Sequence, residues 1–273
     1  MKKPLVKLIV GFILPAAAIL LLGKLSIWYG IAALLVYIAA FIYLSRVMVF
    51  TVIGGRNYAQ GKIDLALKWF KLAHESNKSG IKPSVSYAYI MLKNADLVKS
   101  EEILQKLLKD HPKDQDVPFI KSNLALVLWK KGELDAAIVM LEEVLQSYKT
   151  TSVYGSLGFL LLLTGDLEKA LQFNLEAHEF NTADKIILDN LGQNYYLLGM
   201  YDKCGEIYEP LVKKSPTFPE PYYNYGLLLE KLGEPEKALE MMKMALGSKF
   251  SYLSSITKED VEAKIKEISA RLD

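Results

Sequence analysis

The chain has 273 residues, with 33 basic and 31 acidic side chains, and hydrophobic residues make up 51% of it. Acidic and basic residues are interleaved through most of its length, which argues against a nucleic-acid-binding stripe. A single cysteine, Cys204, excludes an intrachain disulfide framework and a paired-thiol zinc site.

The charge is unevenly placed. The first 60 residues hold six basic residues (Lys2, Lys3, Lys7, Lys24, Arg46 and Arg56) and no carboxylate; the first acid is Asp64. A basic, apolar head on a mildly acidic body suggests a membrane segment. Residues 5–23 and 27–45 are two apolar runs of 19 residues each, close to the ~20 that span a bilayer core. Lys7 lies near the start of the first, where it can snorkel, and Pro15 is expected to bend that helix. Lys24, Leu25 and Ser26 form the link, so an antiparallel hairpin is expected. Trp28, Tyr29 and Tyr43 stand where interfacial aromatics belong. A cleaved signal peptide and a buried soluble hairpin are the competing readings. The first lacks a small-x-small cleavage site, and the second lacks a polar face. Basic residues on both flanks (Lys2, Lys3 and Lys7; Arg46, Arg56, Lys62, Lys68 and Lys71), against Lys24 alone opposite, place both termini in the cytoplasm by the positive-inside rule. The expected location is the cell (inner) membrane, as a multi-pass protein whose residues 5–45 contact lipid.

Beyond the head, Gly61, Gly132, Gly165, Gly199 and Gly233 mark a repeat. The last three are 34 residues apart, and Gly132 precedes Gly165 by 33. Such a period means one supersecondary unit copied and stacked. Repeats are expected to start near residues 47, 81, 118, 151, 185 and 219. In the fifth, Leu191-Gly192 precedes Tyr195, Gly199, Tyr201, Cys204, Tyr208, Leu211 and Pro216. The sixth has Tyr222, Tyr225-Gly226, Leu229, Gly233, Ala238, Met242 and Ala245. The fourth has Tyr154, Leu157-Gly158, Leu161, Gly165, Ala170, Asn174 and Ala177. The third has Leu124-Ala125, Leu128, Gly132, Ala137, Leu141 and Val144. This pattern resembles the tetratricopeptide repeat, over residues 47–246. In the second repeat Ala95 replaces the turn glycine, and the first (Ile53-Gly54, Gly61, Ala66, Phe70, Ala73) begins where the second apolar run ends. One slack join falls at 111–118.

The expected fold is therefore all-α. A transmembrane helical hairpin (1–46) precedes a tetratricopeptide-type α-solenoid of about six helix pairs (47–246), closed by a C-terminal capping helix (247–273). The cap begins at Thr257, with Asp260 as its acidic partner, and carries an apolar stripe of Val261, Ile265, Ile268 and Leu272. With no flexible linker between the hairpin and the first repeat, the array is expected to stand at a restricted angle to the membrane.

No constellation for chemistry emerges. His74, His111 and His178 fall in different repeats without ligand-spaced partners. Cys204 sits at the small-residue position of its repeat. Gly54-Gly55 opens no phosphate loop, and the paired CxxC motifs that end one family of membrane-anchored tetratricopeptide proteins are missing. No catalytic residue, cofactor or metal is expected, and the chain is not expected to be an enzyme. The resemblance implies a concave groove lined by the first helix of each pair. It would be built from Tyr89, Leu92, Phe119, Leu126, Trp129, Phe159, Leu162, Tyr196, Tyr223 and Leu227, with Lys93, Lys130, Asp189, Gln193 and Glu230 among them. The carboxylate clamp of chaperone-binding members is absent, since Thr51 and Gly55 hold its first positions. An amphipathic helix or extended apolar segment is then the expected ligand; packing within the superhelix or under the capping helix is the competing role for these aromatics. Asn123, Asn190 and Asn224 recur at one register as repeat consensus. The functional expectation is a non-enzymatic, membrane-anchored scaffold binding a protein or peptide partner at the cytoplasmic face. The alternative is the same scaffold facing outward in envelope or secretion-complex assembly.

Overall fold

The computed structural model describes residues 9–76 and 80–272. The described residues form 15 α-helices and one π-helical turn joined by short links, with no strand. The chain forms two compact units, residues 1–84 and 85–273.

The first unit opens with a π-helical turn, Ile9–Ile13, and α1, Leu14–Leu25. Pro15 is in the first turn of α1, where its missing N–H costs no intrahelical bond. The π turn stands just before it, and Pro15 lies at the start of the helix and not inside it. Only Ser26, with extended backbone (φ −162°), separates α1 from α2, Ile27–Leu44. The expected three-residue link is thus one residue, because Lys24 and Leu25 complete the helix. The two helices run antiparallel. Tyr37 Oη donates to the Gly11 carbonyl at 2.8 Å, and a Cβ on Gly30 would lie 2.9 Å from Gly23 Cα. Side-chain burial is slight; Gly30 is the one buried residue of α2. Among the described residues only Ile27–Leu44, at 18 residues, is long and apolar enough to cross a bilayer, and the helical run Val10–Leu25 is shorter. A hairpin of two full spans is therefore not established, and the start of the first expected span, residues 5–8, lies outside the described residues.

Ser45, with ψ 4°, interrupts the helical run before α3, Arg46–Ala59. Residues from 47 onward accordingly begin a separate helix pair, α3 with α4, Ile63–His74. A Cβ on Gly54 would lie 3.0 Å from the Phe70 ring, so the small residue lets the pair close.

The next pair is α5, Ile81–Lys93, and α6, Leu97–Asp110. Four more follow: α7, Val117–Lys130, with α8, Leu134–Ser147; α9, Thr151–Leu163, with α10, Leu167–Phe180; α11, Lys185–Leu197, with α12, Tyr201–Lys213; and α13, Glu220–Lys231, with α14, Pro235–Leu246. The first helices start at residues 46, 81, 117, 151, 185 and 220. All five marker glycines have φ between 74° and 85°, the left-handed region that ends a helix at low cost for glycine. Ala95, in the glycine's place, also has φ 65°, a conformation that costs a residue with a Cβ roughly 1–2 kcal/mol.

In four of the pairs a glycine of the first helix (Gly54, Gly158, Gly192 and Gly226) faces the residue 16 positions later on the second. Gly192 meets Tyr208 and Gly226 meets Met242, with a built Cβ 2.7 and 2.8 Å from those side chains. Ala137, Ala170, Cys204 and Ala238 are wholly buried, as their small-residue register required. The first helices also touch across repeats, α7 with α9, α9 with α11, and α11 with α13. Two of the three recurrent asparagines hold these contacts. Asn190 Nδ2 donates to the Gly155 carbonyl at 2.7 Å, and Asn224 Nδ2 to Asp189 Oδ1 at 3.1 Å. Asn123 turns back to the Phe119 carbonyl of its own helix.

The end of the chain is α15, Lys258–Ser269, with a full capping box between Thr257 and Asp260. Val261 and Ile268 are wholly buried against the last pair, and Ile265 packs beside them. Leu272 falls beyond the helix end and is exposed, so the apolar stripe stops at Ile268.

Candidate functional site

The first helices of the second unit supply the residues of the expected groove, and they divide into three groups. Trp129 and Phe159, on neighbouring first helices α7 and α9, meet edge to face with ring centroids 5.2 Å apart. Lys130 Nζ lies 4.3 Å from the Trp129 ring centroid, and Lys93 Nζ lies 5.7 Å from that of Tyr89. These residues, with half-buried Phe119, Leu126 and Tyr196, keep surface available. Tyr223 and Leu227 pack with Val261 and Ile268 beneath the capping helix. Leu92 and Leu162 are 0% and 5% exposed, so both fill the core and present no groove surface. Their helices are apolar on more than one face, and sequence spacing could not say which leucine points inward.

The charged residues also sort differently from the expectation. Glu230 is paired with Lys264 of α15 at 3.0 Å and with Arg271, which fastens the cap. Asp189 is only 6% exposed and does not face a groove. It accepts from Tyr208 Oη at 3.0 Å and from Asn224 Nδ2 at 3.1 Å. Burial pushes its carboxyl up to about 7, with Glu220 adding repulsion and the two donors opposing. The same burial pushes the Cys204 thiol up to about 12, which suits packing and not nucleophilic chemistry. His74 Nδ1 lies 2.9 Å from Ser84 Oγ. Among the described residues no three His, Cys, Asp or Glu side chains cluster as metal ligands would.

One element was not legible in the sequence as part of this face. The link between α14 and α15 does not take a direct path. Lys249 N–H donates to the Thr217 carbonyl at 2.9 Å, and Tyr252 N–H donates to the Lys93 carbonyl at 3.1 Å. Ser255 N–H then donates to Glu220 Oε1 at 2.8 Å. Tyr252 also brings its ring to 4.8 Å from Lys130 Nζ. Lys130 thus contacts the rings of both Trp129 and Tyr252. Burial lowers its pKa, and Glu220 partly offsets this. Aromatic residues (Phe250 and Tyr252) in a polar connection were the available sequence signal.

A family model described as tetratricopeptide repeat matches residues 120–152, the third helix pair, and another of the same description matches 208–240. Two stretches of the chain thus match the tetratricopeptide repeat. This solenoid is similar in fold to a tetratricopeptide repeat protein from Parabacteroides merdae ATCC 43184, with a TM-score of 0.63 at 14% identity over 93% of this chain and 98% of that one. It is also similar to Pseudomonas aeruginosa PilF, with a TM-score of 0.57 at 14% identity over 82% of this chain and 97% of that one. In sequence it is 28% identical to the TPR repeat-containing protein YvcD of Bacillus subtilis (strain 168) over 137 residues. That match covers 50% of this chain and 28% of YvcD. It is 28% identical to the BBSome complex member BBS4 of Bos taurus over 143 residues, 52% of this chain and 27% of BBS4. The chain thus matches less than a third of the length of either relative.

Proposed function

We propose that this chain is a non-enzymatic, membrane-anchored tetratricopeptide repeat scaffold that seats a protein or peptide partner on its concave face. The observation that carries the partner reading is the Trp129–Phe159 pair with Lys130 beside it, aromatic surface offered by adjacent first helices. Rigid aromatics that keep accessible surface are the usual anchors of a protein contact. In the full chain, Trp129→Ala and Tyr196→Ala are expected to reduce capture of a bound protein by about tenfold each, the cost of removing a modest hot spot. A partner captured equally by wild type and both variants, at unchanged melting temperature, would place the contact elsewhere.

The anchor is proposed at residues 5–45. Its support is the length and apolarity of Ile27–Leu44, which leaves its side chains almost wholly uncovered, and the basic flanks on either side of the head. Those charges favour a cytoplasmic body. Cys204 is wholly buried, so Lys62→Cys supplies a single reactive thiol. It is expected to resist an impermeant maleimide in intact cells and to react after permeabilisation. Labelling in intact cells would instead favour the outward-facing scaffold of envelope or secretion assembly.

A further inference from the structure

We infer that the concave face is already occupied by the chain's own segment 248–256, an internal ligand that an incoming partner has to displace. The inference deepens the partner reading above and rests on it. The segment presents a turn, closed by the Ser254 N–H on the Ser251 carbonyl at 2.9 Å, that makes contacts a bound peptide would make. A helix ends in carbonyls with no intrahelical partner, and the Lys93 carbonyl at the end of α5 takes the Tyr252 N–H at 3.1 Å. An ammonium is attracted to the face of an aromatic ring, and Lys130 Nζ lies over both the Trp129 and the Tyr252 rings, at 4.3 and 4.8 Å from their centroids. The Glu220 carboxylate accepts the Ser255 N–H. The chain leaves Thr217 near the start of α13, reaches the far ends of α5 and α7 at Tyr252, and is back at Glu220 by Ser255.

The ends of the segment are pinned and its middle is held lightly. Phe250 and Ile256 pack in the apolar cluster of the last pair and α15. Tyr252 remains 37% exposed. A partner that supplies an aromatic ring to Lys130 and a backbone N–H to the Lys93 carbonyl could take the place of residues 251–254 without disturbing the cap.

The test uses the full chain in micelles with Trp28 and Trp69 changed to Phe, so that Trp129 alone reports. An opened variant carries glycine at 251–254 and keeps Phe250 and Ile256. The probe is a blocked synthetic peptide, SKFSYLSSI, matching 248–256. The peptide is expected to shift Trp129 emission in the opened variant and to need about tenfold more peptide in the closed chain, where the tethered copy competes at an effective concentration in the millimolar range. Its Tyr252→Ala version is expected to fail in both. Equal responses in the opened and closed chains, or none in an opened variant of unchanged helicity, would overturn the inference. Hydrogen exchange on the wild-type chain gives a second readout: the Tyr252 and Ser255 amides are expected to exchange at least about tenfold more slowly than exposed loop amides. Exchange at the loop rate would overturn it whether or not the variant folds. A groove that takes the peptide yet captures no protein rejects only the partner reading. Trp129-dependent capture with equal peptide responses rejects only the internal ligand.

Discussion

Asp189→Asn is expected to flatten the dependence of stability on pH between about 4 and 7. In the folded chain Asp189 titrates at about 7, against its ordinary 3.8, because burial disfavours the carboxylate. Between those two values the folded state keeps a proton that the unfolded state has lost. Stability therefore falls as pH rises through this window and levels off above pH 7. At about 1.4 kcal/mol for each tenfold change, the effect reaches up to ~4 kcal/mol. Asparagine keeps an oxygen that can accept from Tyr208 Oη and Asn224 Nδ2, and it has no charge to bury. Glu220, also raised by burial, adds a slope of the same sign to both proteins, so the quantity to read is the difference between them. Denaturant unfolding of both chains at pH 5 and pH 8 measures it. An identical change in the two would show that Asp189 is not held protonated.

Gly192→Ala is expected to destabilise the fifth repeat by about 2 kcal/mol, within the usual cost of overpacking a core. A Cβ there would sit 2.7 Å from the Tyr208 ring. That ring is wholly buried, and its hydroxyl bonds to both the carbonyl and the carboxylate of Asp189, so it cannot swing aside. The matched control is Gly205→Ala on α12, where the nearest atom is Leu228 Cδ2 at 3.8 Å. There the better helix propensity of alanine is expected to stabilise by roughly 0.5–1 kcal/mol. The same substitution is thus expected to act with opposite signs 13 residues apart. Thermal unfolding of the two variants decides it, and destabilisation of equal size in both would show that the close approach at Gly192 is not what sets its cost.

These two sites show how far the sequence could be followed. Gly192 and Tyr208 both stood out as consensus positions, one small and one large, because each recurs in register with the turn glycines. That one exists to admit the other emerged only when α11 and α12 were laid together. Asp189 went further astray. A carboxylate on the first helix of a pair suggests a solvated groove wall, yet this one turns toward Tyr208 and Asn224. Leu92 and Leu162 were misplaced for a related reason: apolar spacing marks a core face but cannot distinguish it from an apolar face left open. Tyr252 was missed because its partners, Lys93 and Lys130, belong to the second and third repeats.

By itself the sequence determined the all-helical solenoid, its period, the turns at Gly61, Gly132, Gly165, Gly199 and Gly233, and the capping box at Thr257. All of these are local: a left-handed turn residue, a cap or a small side chain acts within one helix pair, and repetition amplifies the signal. The tertiary structure decided which aromatics keep their surface, that Asp189 is buried, and that Tyr252 meets the C-terminal ends of α5 and α7. Those features depend on how successive first helices converge, which sums small rotations over several repeats and leaves no local pattern in the chain.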